Sequence, residues 1–204
     1  MIKVILVDDQ AMVREALAAL LELSGSVKVI AQAKNGVEAL EIIGKLAPSE
    51  AEVLLTDIEM PQMDGLTLAE NVRRSYPHLK VCIVTTFGRA GYVQRALSAG
   101  AKGFLVKDAP SKDLVSALEQ IQKGIRVVDP ALALDALSLP ASPLTEREKD
   151  ILLAFEKLGT VSEVAAELFL SAGTVRNHVS NIIAKTHAKN RAEATRIARE
   201  NGWL

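Results

Sequence analysis

Three carboxylates, a hydroxyl and an ammonium stand just past four apolar runs of this chain, and those types suit phosphoryl chemistry. Asp8 and Asp9 follow Val4-Ile5-Leu6-Val7, and Asp57 follows Val53-Leu54-Leu55-Thr56. Thr85 follows Val81-Cys82-Ile83-Val84, and Lys107 follows Gly103-Phe104-Leu105-Val106. Magnesium takes an octahedral oxygen shell built from one or two carboxylates, waters and phosphate oxygens. Asp9 and Asp57 can supply the protein share, with Asp8 holding a water. An Asp carboxylate can itself attack phosphorus and become an aspartyl-phosphate. A cation and the Lys107 ammonium then offset charge on the transferred oxygens, and the Thr85 hydroxyl can donate to one of them. Polar residues commonly end strands, so no one of these is informative alone. The combination is.

The runs that carry these residues are short, bulky and uncharged, as strands buried on both faces of a parallel sheet must be. A further run at Val27–Ala33 makes five strands, alternating with helix-period segments at about 11–24, 35–47, 65–75, 90–99 and 111–123. Strand–helix alternation of this kind predicts an α/β fold: a five-stranded, parallel, doubly wound, flavodoxin-like sheet over residues 1–123. Ligands of such sheets bind beyond the carboxyl ends of the strands, so the five polar residues should converge there.

Past Gly124 the alternation stops. Asp129-Pro130, Pro140 and Ser142-Pro143 break up small apolar residues, and 124–143 reads as a linker with about one helical turn. From Leu144 to Leu204 the pattern is all helical. Thr145-Glu146-Arg147-Glu148 is a capping box, Ser162 is the expected cap of a short helix, Ser171 of a longer one to Lys185, and Asn190 of the last. Within the third of these helices Val175, Val179, Ile182 and Ile183 recur on one side. Arg176, Asn177, Ser180 and Lys185 fall on the other. A short turn before a capped helix is the helix-turn-helix pattern, whose second helix enters the major groove of DNA. Arg suits bidentate bonding to guanine and Asn to adenine; Thr174, Lys185 and Lys189 are expected at phosphates.

Composition narrows the classes further. No apolar run reaches the length of a membrane span, and Met1-Ile2-Lys3 enters a strand with no leader pattern before it. Cys82 is the single cysteine, which excludes an internal disulfide and a cysteine zinc site. A cytoplasmic protein with no direct membrane insertion is expected. The net charge of −1 is uneven: from Ser171 onward six Lys/Arg face two Asp/Glu. That excess is modest and does not by itself indicate nucleic acid.

Residues 1–123 resemble the receiver domain of bacterial two-component response regulators, through Asp8-Asp9, Asp57-Ile58-Glu59-Met60-Pro61, Asp64-Gly65, Thr85 and Lys107-Asp108. Residues 144–204 resemble the LuxR-type helix-turn-helix of the NarL/FixJ family, through Leu144-Thr145-Glu146-Arg147-Glu148, Gly173-Thr174-Val175-Arg176-Asn177-His178 and Asn190-Arg191-Ala192-Glu193-Ala194. The resemblance implies Asp57 as phosphoacceptor and Mg²⁺ on Asp8, Asp9, Asp57 and the Glu59 backbone carbonyl. It implies Thr85 and Phe104 as a switch pair, with Lys107 on the phosphoryl group. The implied partners are a sensor histidine kinase, double-stranded promoter DNA and a second copy of the chain when phosphorylated. The implied role is transcription regulation, not enzyme catalysis. Phe104 stands where many relatives carry Tyr, and Val161-Ser162-Glu163-Val164 replaces a segment that usually holds a lysine. A narrower likeness, through Thr85-Thr86-Phe87, Gly91-Tyr92, Gln94-Arg95-Ala96 and Gly202-Trp203, is to DesR-type regulators of membrane-lipid desaturation in Gram-positive bacteria. Phe87, which cannot hydrogen-bond an attacking water, predicts a long-lived phosphoform.

Two other readings compete. A phosphorylation-independent regulator would use its receiver only to dimerise, and would show a degraded pocket. A Mg²⁺-dependent aspartyl-phosphate phosphatase would place its nucleophile after the first strand in an Asp-x-Asp pattern, whereas here the pair is adjacent and Asp57 lies on a later strand.

Overall fold

The structure, a computed structural model, describes residues 1–86, 88, 90–138 and 142–204. Phe87, on which the expected lifetime of the phosphoform rests, lies outside the described residues. The chain divides into two compact units, the first made of Met1–Gly88 and Val93–Leu134 and the second centred on Asp135–Leu204.

The first unit alternates strand and helix in the order β1 (Ile2–Val7), α1 (Ala11–Leu23), β2 (Val27–Ala33), α2 (Gly36–Ile43), β3 (Val53–Thr56), α3 (Gly65–Ser75), β4 (Lys80–Thr85), α4 (Ala90–Ser98), β5 (Gly103–Val106), α5 (Ser111–Gln122) and β6 (Val127–Val128). The strands form one parallel sheet in the order β2-β1-β3-β4-β5-β6. Val4, Leu6, Val53, Leu55, Cys82 and Val84 pack on one face with Leu21, Leu114, Leu118 and Ile121. Ile5, Leu54, Ile83 and Phe104, one residue out of phase and so on the other face, are equally buried. Both faces are covered, which is why no strand alternates with polar residues. Packing is close where β5 meets β4: a Cβ on Gly103 would lie 2.5 Å from the Cys82 Sγ and from the Ile121 Cδ1. Any side chain at 103 would prise the two strands or α5 apart.

Five strands were expected and six are present. The sixth is made by the presumed linker: Val127 pairs with Gly103 and Val128 with Phe104. A two-residue strand is too short to show periodicity. The same segment then forms α6 (Pro130–Ser138), well over the single turn expected. Asp129 accepts from the Leu132 N–H at 3.2 Å, so Asp129-Pro130 is a cap and first-turn proline where a turn was expected. The second helix is also shorter than predicted, opening after the Asn35 cap and ending at Ile43.

The second unit holds α7 (Glu146–Leu158), α8 (Val161–Glu167), α9 (Ala172–Thr186) and α10 (Arg191–Glu200) around Ile151, Leu152, Phe155, Val164, Val175, Ile182 and Ala198. Trp203 packs against this core. Thr145, Ser171 and Asn190 cap α7, α9 and α10. The cap of α8 is Thr160, not Ser162: its side chain accepts from the Glu163 N–H while the Glu163 carboxylate accepts from the Thr160 N–H at 3.1 Å. Ser162 has no acidic partner three residues on and forms no such box.

Candidate functional site

The strand order reverses between β1 and β3, which opens a crevice at their carboxyl ends. Asp8 and Asp9 leave β1 there, and Asp57 leaves β3. Their carboxylate oxygens lie within 4.8 Å of one another, Asp8 and Asp57 buried and Asp9 exposed. From the end of β5 the Lys107 Nζ donates to the Asp8 Oδ2 and to the Asp57 Oδ2, each at 2.6 Å. The Lys107 N–H also donates to the Thr85 carbonyl at 2.8 Å, joining the ends of β4 and β5.

The two buried carboxylates are oriented by backbone. The Gln10 N–H reaches the Asp8 Oδ1 at 2.9 Å, and the Ile58 N–H reaches the Asp57 Oδ1 at 2.6 Å. Gly65 permits the turn after Asp57: a Cβ there would sit 1.8 Å from the Asp57 carbonyl oxygen. Its N–H donates to the Ile58 carbonyl at 2.9 Å, and Asp64 caps α3 by accepting from the Thr67 N–H at 2.7 Å. The Asp64-Gly65 pair of the sequence thus shapes the loop after Asp57. Arg14, not singled out from the sequence, donates to the Asp8 carbonyl at 2.5 Å.

The electrostatics are unbalanced. Burial pushes the Asp57 carboxyl above its ordinary value, against the bonds from Lys107 and the Ile58 N–H. Burial works to lower the Lys107 ammonium, but the bonds to Asp57 and Asp8 outweigh it and hold it above its ordinary value. Three carboxylates and one ammonium leave about two negative charges, the complement of a divalent cation with an oxygen shell. The residues present therefore fit Mg²⁺ at Asp8, Asp9 and Asp57. Glu59 lies exposed on the loop two residues past Asp57. Thr85 and Phe104 are both buried, at the end of β4 and within β5.

The second candidate surface lies on α9. Val175 and Ile182 are buried in the helical core and Val179 packs against it, while Arg176, Asn177 and Ser180 are exposed. The Ser171 hydroxyl accepts from the Thr174 N–H at 3.0 Å and lies 2.9 Å from the Thr174 Oγ1, at the open end of the helix. Ser180 spends its hydroxyl on the Arg176 carbonyl at 3.1 Å. Lys185 departs from its expected role as a phosphate contact. Its Nζ donates to both oxygens of the buried Glu148 carboxylate, at 2.9 and 2.7 Å, which ties α9 to α7. Arg191 is likewise committed: its Nη1 donates to the Gly159 carbonyl and its guanidinium covers the Phe155 ring at 4.0 Å. Arg196 and Arg199 pair with Glu200 and Glu156. Of the six basic residues after Ser171, only the Arg176 and Lys189 side chains have no partner among the described residues.

A receiver beside a helix-turn-helix unit defines a class, and comparison with known proteins agrees. Residues 4–119 match the response regulator receiver domain, and residues 142–198 match the bacterial regulatory proteins of the luxR family. The chain belongs to the NarL-type response regulators, DNA-binding transcription regulators of two-component systems. It is 45% identical, over the full length of both chains, to the uncharacterized transcriptional regulatory protein YvfU of Bacillus subtilis (strain 168). It is 40% identical over the same extent to the transcriptional regulatory protein DesR of that strain. The response regulator ChrA of a heme-sensing two-component system is 32% identical and superposes with a TM-score of 0.58, covering 100% of this chain and 98% of that one. Among the described residues no helix is long and apolar enough to cross a membrane.

Proposed function

We propose that Asp57 accepts a phosphoryl group from the phosphohistidine of a sensor histidine kinase, and that this switches promoter binding by a cytoplasmic dimer. The observation that carries the reading is the single ammonium shared by Asp8 and Asp57 at the switch point of the sheet. The Asp57 Oδ2 attacks phosphorus, the P–N bond to imidazole breaks, and the imidazole takes up a proton. The backbone N–H of Ile58 holds the other Asp57 oxygen, so the attacking one is fixed in direction. Asp8, Asp9, Asp57 and the Glu59 carbonyl would hold Mg²⁺, which would supply positive charge for the phosphoryl oxygens. Lys107 supplies the rest by leaving the carboxylates for the phosphoryl group. Thr85 turns to bond a phosphoryl oxygen, and Phe104 shifts into the space it leaves.

The dimer surface we assign is the pair α1 and α5. Met12 and Leu23 of α1 are more than four-fifths exposed, and Leu20 and Leu23 border a shallow cavity shared with Ser111, Lys112 and Val115 of α5. Two copies are needed because one recognition helix reads only a few base pairs. On DNA, Arg176 and Asn177 are assigned to bases, Thr174 and Lys189 to the backbone, and Ser180 to the backbone once its hydroxyl leaves the Arg176 carbonyl. Lys185 acts through the fold. Membrane-lipid genes are the proposed targets, on the narrower likeness through Gly91-Tyr92 and Gly202-Trp203. Sedimentation with and without a beryllium-fluoride phosphate mimic tests the switch: the mimic should drive monomer to dimer, and Leu23→Glu should block it. DNA binding that is equal in the wild type and Asp57→Ala, with or without the mimic, would instead establish a regulator that ignores phosphate.

A further inference from the structure

We propose that the amino-terminal end of the receiver sheet, opposite the phosphoacceptor, carries a second binding site for a small phosphorylated organic anion of nucleotide size. A cavity of about 350 Å³ opens there, within the range of small-molecule sites. Four cations line it from four segments: Arg73 of α3, Lys80 at the start of β4, Lys102 just before β5 and Arg126 just before β6. No carboxylate lines it among the described residues. Its apolar wall includes Pro77 and Leu97.

Two of the cations have structural work. The Arg73 Nη1 donates to the Ser98 carbonyl at the end of α4, at 2.6 Å. The Lys80 Nζ donates to the Gln122 carbonyl at the end of α5, at 2.9 Å, and Glu52 lies within its electrostatic reach. Capping helix ends accounts for both. It does not account for Lys102 and Arg126, whose side chains have no hydrogen-bond or ion-pair partner among the described residues. The carboxyl ends of α3, α4 and α5 lend this region roughly −0.5 charge each, well short of four full positive charges. Space is also preserved. Gly100 takes a φ of +90°, and a Cβ there would meet the Arg73 Cδ at 2.7 Å, so the glycine lets the arginine stem lie along the rim. Clustered cations without carboxylates suit phosphates, and the apolar wall suits the body that carries them.

Calorimetric titration of the full chain with ATP, pyrophosphate and adenosine, in EDTA, tests the site. One saturable ATP site is expected, weaker for pyrophosphate and absent for adenosine. Lys102→Ala and Arg126→Ala should each weaken ATP roughly tenfold or more, with melting temperatures unchanged because neither side chain bonds another among the described residues. Arg176→Ala and Lys189→Ala serve as controls for the DNA-reading face and should bind ATP as the wild type does. No saturable heat at millimolar ATP, or unchanged affinity in the Lys102 and Arg126 variants, overturns the proposal. Binding of polyglutamate in place of ATP, lost in the same two variants, also overturns it and marks a protein-docking face.

Discussion

Each unit of this protein buries a carboxylate against a lysine, and the two pairs behave oppositely. Asp57 meets Lys107 at 2.6 Å in the receiver, and Glu148 meets Lys185 at 2.7 Å in the helical unit. Burial raises the Asp57 carboxyl above its ordinary value. Burial also works to raise Glu148, but Lys185 and the Thr145 N–H and hydroxyl outweigh it and hold Glu148 low. The difference lies first in desolvation, which at Asp57 exceeds what its partners return, and second in how many anions share each cation. Lys107 serves Asp8 as well as Asp57, with Asp9 nearby, whereas Lys185 serves Glu148 alone. A satisfied buried pair ties helices together. An under-compensated one keeps electrostatic demand that an incoming cation can meet.

The comparison breaks first if Asp57 is not the acceptor. Acetyl phosphate with Mg²⁺ should add one phosphoryl group to the wild type and none to Asp57→Ala, as read by intact mass. Labelling of the variant would move the chemistry to Asp8 or Asp9 and leave the unbalanced pair without a role.

Glu148→Ala should cost the helical unit about 1–3 kcal/mol, because it strands Lys185 and opens the cap of α7. Lys185 is about one third exposed, so water can recover part of the loss. Trp203, the single tryptophan and part of that core, reports the transition by fluorescence. A change under about 0.5 kcal/mol would place Glu148 among ordinary surface residues.

DNA binding sharpens the contrast between Lys185 and its neighbours. Arg176→Ala should lose roughly 1–3 kcal/mol at the specific site and relax preference at one base pair. Lys189→Ala should weaken all DNA alike and lower the salt slope by about one. Lys185→Ala should leave that slope unchanged while lowering thermal stability. A flattened slope with unchanged stability would return Lys185 to the phosphates.

The smallest expected effect is on pH dependence, and its sign differs between the units. Glu148 sits below its ordinary 4.5, so its contribution is complete above pH 4.5 and is lost as pH falls through the lower folded value. Asp57 sits above its ordinary 3.8, so the folded receiver binds the proton more tightly. In metal-free solution its stability should decline as pH rises from 3.8 through the folded value. Glu148→Gln should remove the first slope and Asp57→Asn the second, measured by Trp203 fluorescence and by hydrogen exchange of the β3 segment. Slopes of the same sign would end the distinction.

The carboxylate pocket was legible because parallel strands end in sequence-local signals: an uncharged run, then a polar residue. Helix α9 and its buried face were legible from the spacing of Val175, Val179 and Ile182. What escaped was long-range or too short. Lys185 and Glu148 are 37 residues apart, and nothing local to either announces the bond. The β6 pairing with Gly103 and Phe104 spans two residues, below the reach of any periodicity. Asp129-Pro130 reads as a break because, in sequence, a cap followed by a first-turn proline has the same composition as a turn. Thr160 and Ser162 offer the same cap hydroxyl, and the deciding partner is Glu163, three residues past Thr160.

Cys82 has a practical use that follows from its crowding by Gly103. It is fully buried, and burial pushes its thiol up to about 12, so almost none is thiolate at neutral pH. The chain's sole sulfhydryl should therefore be silent to alkylating reagents while the sheet is closed. Its labelling rate then clocks the opening of the receiver core, and a cysteine introduced elsewhere can carry a spectroscopic probe without background from the native one.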